Sequence, residues 1–218
     1  MRLTHYGHAC VVIEDPSGSA GRILIDPGNL AVDLDGVGDI DAVLITHEHP
    51  DHIEPAKLGG LRRANPALEL YGGPGTPEAL PPEERERLAV LSTDGTDQAT
   101  VAGWEVTATT SIHATIYPAL PDIANNAYRV AGRVWHPGDA FVLPGQRVEV
   151  LLLPIGAPWL KLAEAVDYLR AVAPDLAIPI HQGGLAPAHR ELHCGLLARF
   201  APAGTELLAP QIGVPVDV

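Results

Sequence analysis

The sequence contains few cysteines and no long apolar run. Only two cysteines occur, Cys10 and Cys194, and neither has a neighbour at the spacing of a metal or redox site. We therefore expect two free thiols in a reducing compartment. No apolar run reaches the roughly 18 residues that cross a bilayer, and the first residues lack the apolar core of a signal peptide. These absences predict a cytoplasmic protein without a membrane segment.

Basic residues are scarce relative to acidic ones. The chain has 14 Lys and Arg against 27 Asp and Glu, which gives a formal net charge of −13. Such a surface repels a phosphate backbone and provides no counterion-release contribution to nucleic-acid binding. The composition therefore disfavours nucleic-acid partners and leaves a small molecule as the expected partner. It does not indicate an oligomeric state.

Histidine, in contrast, is concentrated in one short segment. Residues 46–52 read THEHPDH, which places His47, His49, Asp51 and His52 within six consecutive residues. Neutral imidazoles and carboxylates are ligands of Zn²⁺ and related ions. One short turn cannot direct all four side chains to one tetrahedral ion, so we expect the first two histidines to face one ion and Asp51 with His52 to face another. This split predicts a two-metal centre completed by distant residues.

Short β-branched runs between glycine and proline turns predict strands. They cover residues 10–13, 22–25, 42–45, 88–91, 101–109, 127–130, 133–135, 148–153 and 176–180. Residues 16–21 predict a hairpin loop, and the early strands are expected to be mainly antiparallel. Helices are predicted for residues 55–63, 82–87, about 159–173 and 187–200. The alternation predicts an α/β fold, a single domain over residues 1–218 with two packed sheets and helices outside.

Three further residues have the chemistry to complete a metal shell. His113, Asp139 and His181 each follow a predicted strand at its carboxyl end. A strand end projects side chains into the crevice above a sheet and holds them on a rigid frame. Alone, each residue has a simpler interpretation as a hydrogen-bonded core histidine or a turn aspartate. Together with residues 46–52, they predict a shared metal site.

The order of these residues resembles the metallo-β-lactamase-fold hydrolase superfamily. The shared pattern is HxHxDH, a later single His, Gly-Asp and a C-terminal His, and it spans nearly the whole chain. The segments GHAC, ILIDPG, PIGAPWLKLAEAV and PIHQG are most similar to the compact single-domain members grouped with the ascorbate-6-phosphate lactonase and related Zn-dependent hydrolases. The resemblance implies a four-layer αββα sandwich of two mixed sheets with a dinuclear site at one edge.

The resemblance also implies a ligand set. A first metal would be bound by His47, His49 and His113, and a second by Asp51, His52 and His181. Asp139 would bridge the two. The completed set of proposed metal ligands is therefore His47, His49, Asp51, His52, His113, Asp139 and His181.

Several subfamilies fit this sequence less well. β-Lactamases of this fold commonly use a cysteine where this chain has Asp139, and flavin-linked di-iron relatives have a glutamate where it has His49. Thioesterase relatives add a helical substrate domain, and tRNA-processing relatives carry a basic arm. The remaining expectation is a small-molecule hydrolase.

The expected mechanism follows from two adjacent divalent ions. Such ions lower the pKa of bound water towards about 7, so a metal-bound hydroxide is available as the nucleophile at neutral pH. We expect it to hydrolyse an ester or lactone, with Asp51 orienting the hydroxide as the catalytic residue. The ions are expected to be zinc, although manganese or iron also suits these ligands. A phosphodiesterase or phosphatase acting on a small phosphorylated metabolite and a non-catalytic metal-binding sensor are the alternatives.

Other residues are weaker candidates for contacts with the metal ligands or the substrate. His8 is expected to donate to a metal ligand or to contact the substrate, with a structural histidine as the alternative, and His136 is expected to contact Asp139. Tyr117, Asn125 and Asn126 lie in a segment whose prolines and asparagines predict a loop over the site.

Two pairs of residues in the C-terminal half each have two possible roles. Trp159 and Lys161 begin a predicted helix, where they have either an anion-binding role or a capping and packing role. His189 and His193 have the i,i+4 spacing of a zinc-protease motif but lack its glutamate at the second position. They are expected to lie on a solvated helix face outside the site.

Overall fold

The fold is described from a computed structural model that covers residues 1–218. Its first sheet has seven strands in the spatial order β14-β1-β2-β3-β4-β5-β6. In chain order these strands are β1 (Arg2–His5), β2 (Val11–Glu14), β3 (Ile23–Ile25), β4 (Ala42–Ile45), β5 (Glu69–Gly72), β6 (Leu88–Val90) and β14 (Pro215–Asp217). Pairing is antiparallel from β14 to β3 and parallel from β3 to β6.

The second sheet also has seven strands, in the order β13-β12-β11-β10-β9-β8-β7. They are β7 (Thr96–Val101), β8 (Trp104–Ile112), β9 (Ala124–Val130), β10 (Val134–His136), β11 (Val150–Pro154), β12 (Leu176–Ile180) and β13 (Glu206–Leu207). This sheet is antiparallel from β7 to β10 and parallel from β10 to β13. Both sheets are therefore mixed.

Five helices complete the chain. They are α1 (Pro55–Ala64), α2 (Thr76–Ala79), α3 (Pro82–Arg85), α4 (Leu162–Val172) and α5 (Pro187–Phe200). Proline at the first turn starts α1, α3 and α5, because its missing N–H is not needed there. None of these helices combines the length and the apolar composition required to cross a membrane.

Three apolar layers hold the molecule together. The central one joins the facing sides of the two sheets, with Leu44, Val106 and Leu152 among its fully buried members. A second layer packs Leu58 and Leu61 of α1 on the outer side of the first sheet. A third packs α4 and α5 on the outer side of the second sheet. The arrangement confirms the αββα sandwich.

Two predictions about strands were wrong in detail. The predicted strand 101–109 is broken by a two-residue turn, Ala102 and Gly103, which have φ values of +48° and +83°. Positive φ at both turn residues matches the right-handed twist of a tight hairpin, so β7 and β8 fold back on each other. The early strands are also less antiparallel than expected, because α1 to α3 allow the parallel connections from β4 to β6.

Candidate metal centre

The candidate residues converge because each follows the carboxyl end of a strand. The segment 46–52 follows β4, His113 follows β8, Asp139 follows β10 by three residues, and His181 follows β12. These ends lie at one edge of the sandwich. The seven proposed ligands are thereby brought together from both sheets.

Asp26 and Thr46 orient two of the imidazoles. Thr46 Oγ1 donates to Asp26 Oδ2 at 2.8 Å, and His52 Nδ1 donates to the same oxygen at 2.7 Å. Since the Thr46 proton is used for Asp26, its oxygen accepts from His47 Nδ1 at 3.0 Å. In their neutral, metal-binding form both imidazoles therefore carry their proton on Nδ1 and present the Nε2 lone pair to the crevice.

His113 and His181 are oriented by backbone carbonyls instead. His113 Nδ1 donates to the carbonyl of Ala114, and His181 Nδ1 donates to the carbonyl of Gly156, each at 2.6 Å. Their Nε2 lone pairs are thus also free to bind a metal. His181 holds this orientation with φ of +60°, a conformation that is strained for a residue with a side chain.

Asp139 lies between the two groups of imidazoles. Its Oδ1 is 3.2 Å from His52 Nε2, and its Oδ2 is 3.0 Å from His181 Nε2 and 3.4 Å from His113 Nε2. The indole Nε1 of Trp159 donates to Oδ2 at 2.8 Å. This carboxylate therefore has the central position that a bridging ligand requires.

Asp51 and His8 differ in role although they lie in the same cluster. The backbone N–H of Gly183 donates to His8 Nδ1 at 3.1 Å, so the proton of a neutral His8 is on Nε2. That proton is donated to Asp51 Oδ2 at 3.0 Å. His8 consequently positions the carboxylate of Asp51 and has no inward lone pair for a metal.

The charges of the site favour a cation at its centre. Burial, with the neighbouring His52, lowers the pKa of His47 well below its ordinary value. Burial also opposes the charged form of His52, but Asp139 and Asp26 together outweigh it and raise the pKa of His52 well above the ordinary value. Burial would raise the pKa of Asp139, yet His52 and His181 hold it well below its usual range. A divalent ion would supply the positive charge that these carboxylates attract.

The donor set fits metal ions. His47, His49 and His113 offer three nitrogens within 4.8 Å of one another, and Asp51, His52 and His181 form a second such group with His8. The buried atoms His113 Nε2 and Asp139 Oδ1 have no hydrogen-bond donor. An unsatisfied buried acceptor costs about 1–3 kcal/mol, which coordination to a cation would offset.

Two asparagines are not where the sequence suggested. Asn125 and Asn126 lie in β9 and are fully buried, so the prediction of a loop over the site was wrong for both. Asn125 Oδ1 accepts from the backbone N–H of Asp139 at 2.9 Å, and its amide nitrogen donates to the carbonyl of Pro137 at 2.9 Å. Asn126 bonds Thr110 and a backbone carbonyl. Their polar groups are satisfied internally, which is why they tolerate a core strand.

His136 acts on the same turn. It is fully buried, accepts from the N–H of Gly138 at 3.1 Å and donates to the carbonyl of Ala9 at 3.1 Å. It does not bond the Asp139 side chain directly. Gly138 has φ of +62°, and a Cβ there would lie 2.1 Å from Asn125 Oδ1, so only glycine fits. The turn that presents Asp139 is therefore fixed by Asn125, by His136 and by the backbone conformation of Gly138.

Of the remaining predicted residues, Tyr117 and Trp159 lie at the site and Lys161 does not contact the metal ligands. Tyr117 lies in the loop 114–123, which borders the site, and its side chain is exposed. Trp159 precedes α4, and it contacts Asp139. Lys161 also precedes the helix, points into solvent and lies 3.5 Å from Glu164.

The HRELH pair lies outside the centre, but only one member is solvated. His189 is exposed on α5. His193 is half-buried, and its Nδ1 donates to the carbonyl of Ile155 at 2.7 Å, so the expectation of a solvated face was wrong for this residue. Neither belongs to a group of residues that could hold a metal ion.

Asp26 and Thr46 are the important residues that sequence reasoning missed. The ILIDPG run contains Asp26 and the THEHPDH motif begins with Thr46, so both were in conspicuous segments. Their pairing connects residues 20 positions apart and depends on the parallel register of β3 and β4. No local pattern encodes that contact.

Comparison with known proteins identifies the family of this chain. Residues 2–181 match the family model described as Beta-lactamase superfamily domain. The chain belongs to the β-lactamase superfamily. It is 41% identical over 219 residues to Protein Rv0786c of Mycobacterium tuberculosis, a match that covers 98% of this chain and 99% of that protein.

One further match concerns the family of the chain, and another concerns its fold. It is 30% identical to a UPF0173 metal-dependent hydrolase of Rubrobacter xylanophilus, over 84% of this chain and 81% of the relative, and it belongs to that family. The metallo-beta-lactamase fold protein YhfI from Bacillus subtilis is similar in structure, with a TM-score of 0.70, 16% identity, and coverage of 99% and 98% of the two chains. The latter match confirms the fold.

Proposed function

We propose that this member of the metal-dependent hydrolases binds two divalent ions and hydrolyses a small ester or lactone. The observation that carries the proposal is the position of Asp139 between two groups of donors. One of its oxygens lies 3.2 Å from His52 Nε2 and the other 3.4 Å from His113 Nε2. A carboxylate in that position is suited to two ions rather than to one.

The residues divide into two binding sets under this proposal. His47, His49 and His113 would hold the first ion, and Asp51, His52 and His181 the second, with Asp139 shared. The pair would supply a strongly nucleophilic water at neutral pH and polarise the carbonyl oxygen of the substrate. Imidazole and carboxylate ligands suit zinc, and manganese and iron are the alternatives to be separated by metal analysis.

The side chains around the ligands have separate tasks. Asp51 would bind the second ion and would also accept a hydrogen bond from the attacking water, and His8 Nε2 donates to Asp51 Oδ2 and so fixes the direction of this carboxylate. Trp159 Nε1 donates to Asp139 and so orients the shared carboxylate. Asp26 keeps His52 in the tautomer with a free Nε2. No Ser-His-Asp arrangement is required.

We further propose that the enzyme works in the cytoplasm on a small molecule. The two cysteines are both free, Cys10 being buried and Cys194 half-buried, which is compatible with a reducing compartment.

A substrate panel with matched metal analysis tests the proposal. Purified protein loaded with zinc, manganese or iron is given neutral esters, lactones and phosphodiesters. We expect turnover of an ester or lactone, with a rate that rises with pH through a step near or below neutrality, because deprotonation of water limits the nucleophile. Turnover of phosphodiesters alone would support the phosphodiesterase alternative. Metal binding without any turnover would support the sensor.

A further inference from the structure

Two cavities open beside the candidate centre, one on each side. The loop cavity, about 250 Å³, is formed by residues 114–117 and 120–123 against His49 and His113. The His8 cavity, about 300 Å³, lies against His8, Asp51 and His181, and its wall also includes Leu30, Leu185 and residues 156–158. A substrate whose reacting carbon lies between the two donor groups would extend into these spaces.

Apart from His49 and His113, the wall of the loop cavity is largely apolar and includes no Lys or Arg. Its wall includes Ile116, Tyr117, Leu120 and Ile123, and its only charged side chain outside the donor group is the acidic Asp122. Leu120 is 54% exposed and Tyr117 is 63% exposed. Large apolar side chains that face water beside a polar site indicate a surface that becomes covered when a ligand binds.

Lys57 and Arg129 are engaged in contacts of their own. Lys57 Nζ donates to the carbonyls of Gly28, Asn29 and Ala31. Arg129 is buried in β9 and donates to Thr107 Oγ1.

Lys161 lines a neighbouring groove formed with residues 114–116 and 158–160, where its exposed side chain lies 3.5 Å from Glu164. The walls of the loop cavity and of the His8 cavity contain no Lys or Arg. A phosphorylated or carboxylated substituent would meet no Lys or Arg in either cavity and would lie near Asp122 in the loop cavity.

We infer that the substrate is an uncharged ester or lactone whose apolar substituent occupies the loop cavity, against Ile116, Tyr117 and Leu120. This inference rests on the proposed function for the reacting bond, but the binding preference rests on the cavity alone. It assigns the loop 114–123 as the specificity-determining segment. The apolar walls select for chain length, and the acidic Asp122 selects against anions.

Binding of unreactive ligands tests the inference separately from catalysis. Zinc-loaded protein is titrated by calorimetry with neutral N-methylalkanamides of increasing chain length. We expect the Kd to fall by about two- to fourfold for each added methylene until the cavity is filled, as burial of apolar surface requires. An amide of the same length that ends in a sulfonate, a weaker ligand of zinc than a carboxylate, should bind at least tenfold more weakly, because no Lys or Arg in the loop cavity pairs with the charge.

Two matched variants locate the effect. Leu120→Asp should remove the dependence on chain length, and Leu120→Met should retain it. Leu143→Asp is the control, because Leu143 is also 54% exposed but lines neither cavity. Both aspartate variants should keep the wild-type metal content.

The outcomes separate the inference from the proposed function. The inference is supported if the Kd depends on chain length and Leu120→Asp, but not Leu143→Asp, removes that dependence. This holds even if no ester is hydrolysed, because the absence of hydrolysis overturns only the proposed function. The inference is overturned if the Kd does not depend on chain length, if both aspartate variants lose that dependence equally, or if the protein prefers the sulfonate ligand. The proposed function still stands in each of these cases where esters are turned over.

Discussion

The partner of each imidazole Nδ1 decides what that histidine can do. His52 and His113 donate from Nδ1, to Asp26 and to a carbonyl, and so keep Nε2 free for a metal. His8 accepts at Nδ1 from Gly183 and so donates from Nε2 to Asp51. Membership of a cluster of histidines therefore does not by itself identify a metal ligand.

Removal of a proposed ligand should remove both metal and activity. We expect His113→Ala and Asp139→Ala each to lower hydrolysis by more than about 100-fold, because each leaves an ion under-coordinated. Metal content and turnover are measured on the same samples. His189→Ala is the control, since His189 is exposed on α5. Retention of metal in both ligand variants, or its loss in the control, would contradict the assignment.

Asp26 should affect the metal without touching it. In Asp26→Asn the carboxylate that accepts from His52 Nδ1 at 2.7 Å becomes an amide, so the imidazole loses the partner that fixes its tautomer. We expect zinc affinity to fall by about 10–100-fold, measured by competition with a chelator. Asp33→Asn, on the exposed surface, is the control. Unchanged affinity in Asp26→Asn would show that Thr46 alone orients these rings.

The residues that could be predicted are those whose spacing carries the chemistry. The motif THEHPDH predicted a shared site together with His113, Asp139 and His181. These residues could be found because the motif is contiguous in sequence and the other three each follow a recognisable strand. Asp26 was missed because its bond to His52 joins residues 26 positions apart. Asn125 and Asn126 were misplaced because asparagine is typical of loops, and only the fold supplies the partners that satisfy it in a strand.

At the scale of elements, the strand ends hold the centre under local strain. His8, Asp26 and His181 are non-glycine residues with φ values of +50°, +52° and +60°. Such conformations cost of order 1–3 kcal/mol each and persist only where surrounding contacts fix them. The turn at Gly138, held by Asn125 and His136, provides the same rigidity for Asp139. The strands thus act as the frame that fixes the ligand directions.

Loss of Asn125 should release that turn. In Asn125→Ala, the backbone N–H of Asp139 and the carbonyl of Pro137 lose their buried partner. We expect the free energy of unfolding in urea to fall by about 1–3 kcal/mol and metal content to fall with it. Asn29→Ala is the matched control, because Asn29 is exposed. A destabilised variant with full metal content would show that Asn125 supports β9 alone.

Element boundaries were predictable where apolar runs were continuous. The strands β3, β4 and β12 lie at or within the predicted bounds because each is a short buried run. The sequence signal failed for β13 and β14, which have 2 and 3 residues, and for the hairpin at Ala102, where apolar residues continue through the turn. Pairing across the sheet, rather than local propensity, defines these elements.

At the scale of the molecule, buried neutral histidines make stability depend on pH. Burial lowers the pKa of five histidines below the ordinary 6.5, namely His5, His8, His47, His49 and His136, whereas only His52 has a raised value. Below 6.5 the unfolded chain therefore binds more protons than the folded one. The five stabilise above that pH and lose their effect as pH falls. His52 has the opposite effect on stability, but it is one residue against five.

We expect the metal-free protein to lose stability as the pH is lowered below about 6.5. The slope is about 1.4 kcal/mol per pH unit for each net proton taken up on unfolding. Urea unfolding of chelator-treated protein at pH 7.5 and pH 5.5 measures it. His136→Asn should reduce the difference between the two conditions. Equal or greater stability at pH 5.5 would show that His52 outweighs the other five.

The central claim is a two-metal centre, and its most direct test is the number of ions bound per chain. Elemental analysis of metal-replete protein should give two ions. His49→Ala and His181→Ala should each give one, because each removes a ligand from a different donor group. One ion in the unmodified protein, or loss of both ions in each single variant, would contradict the account.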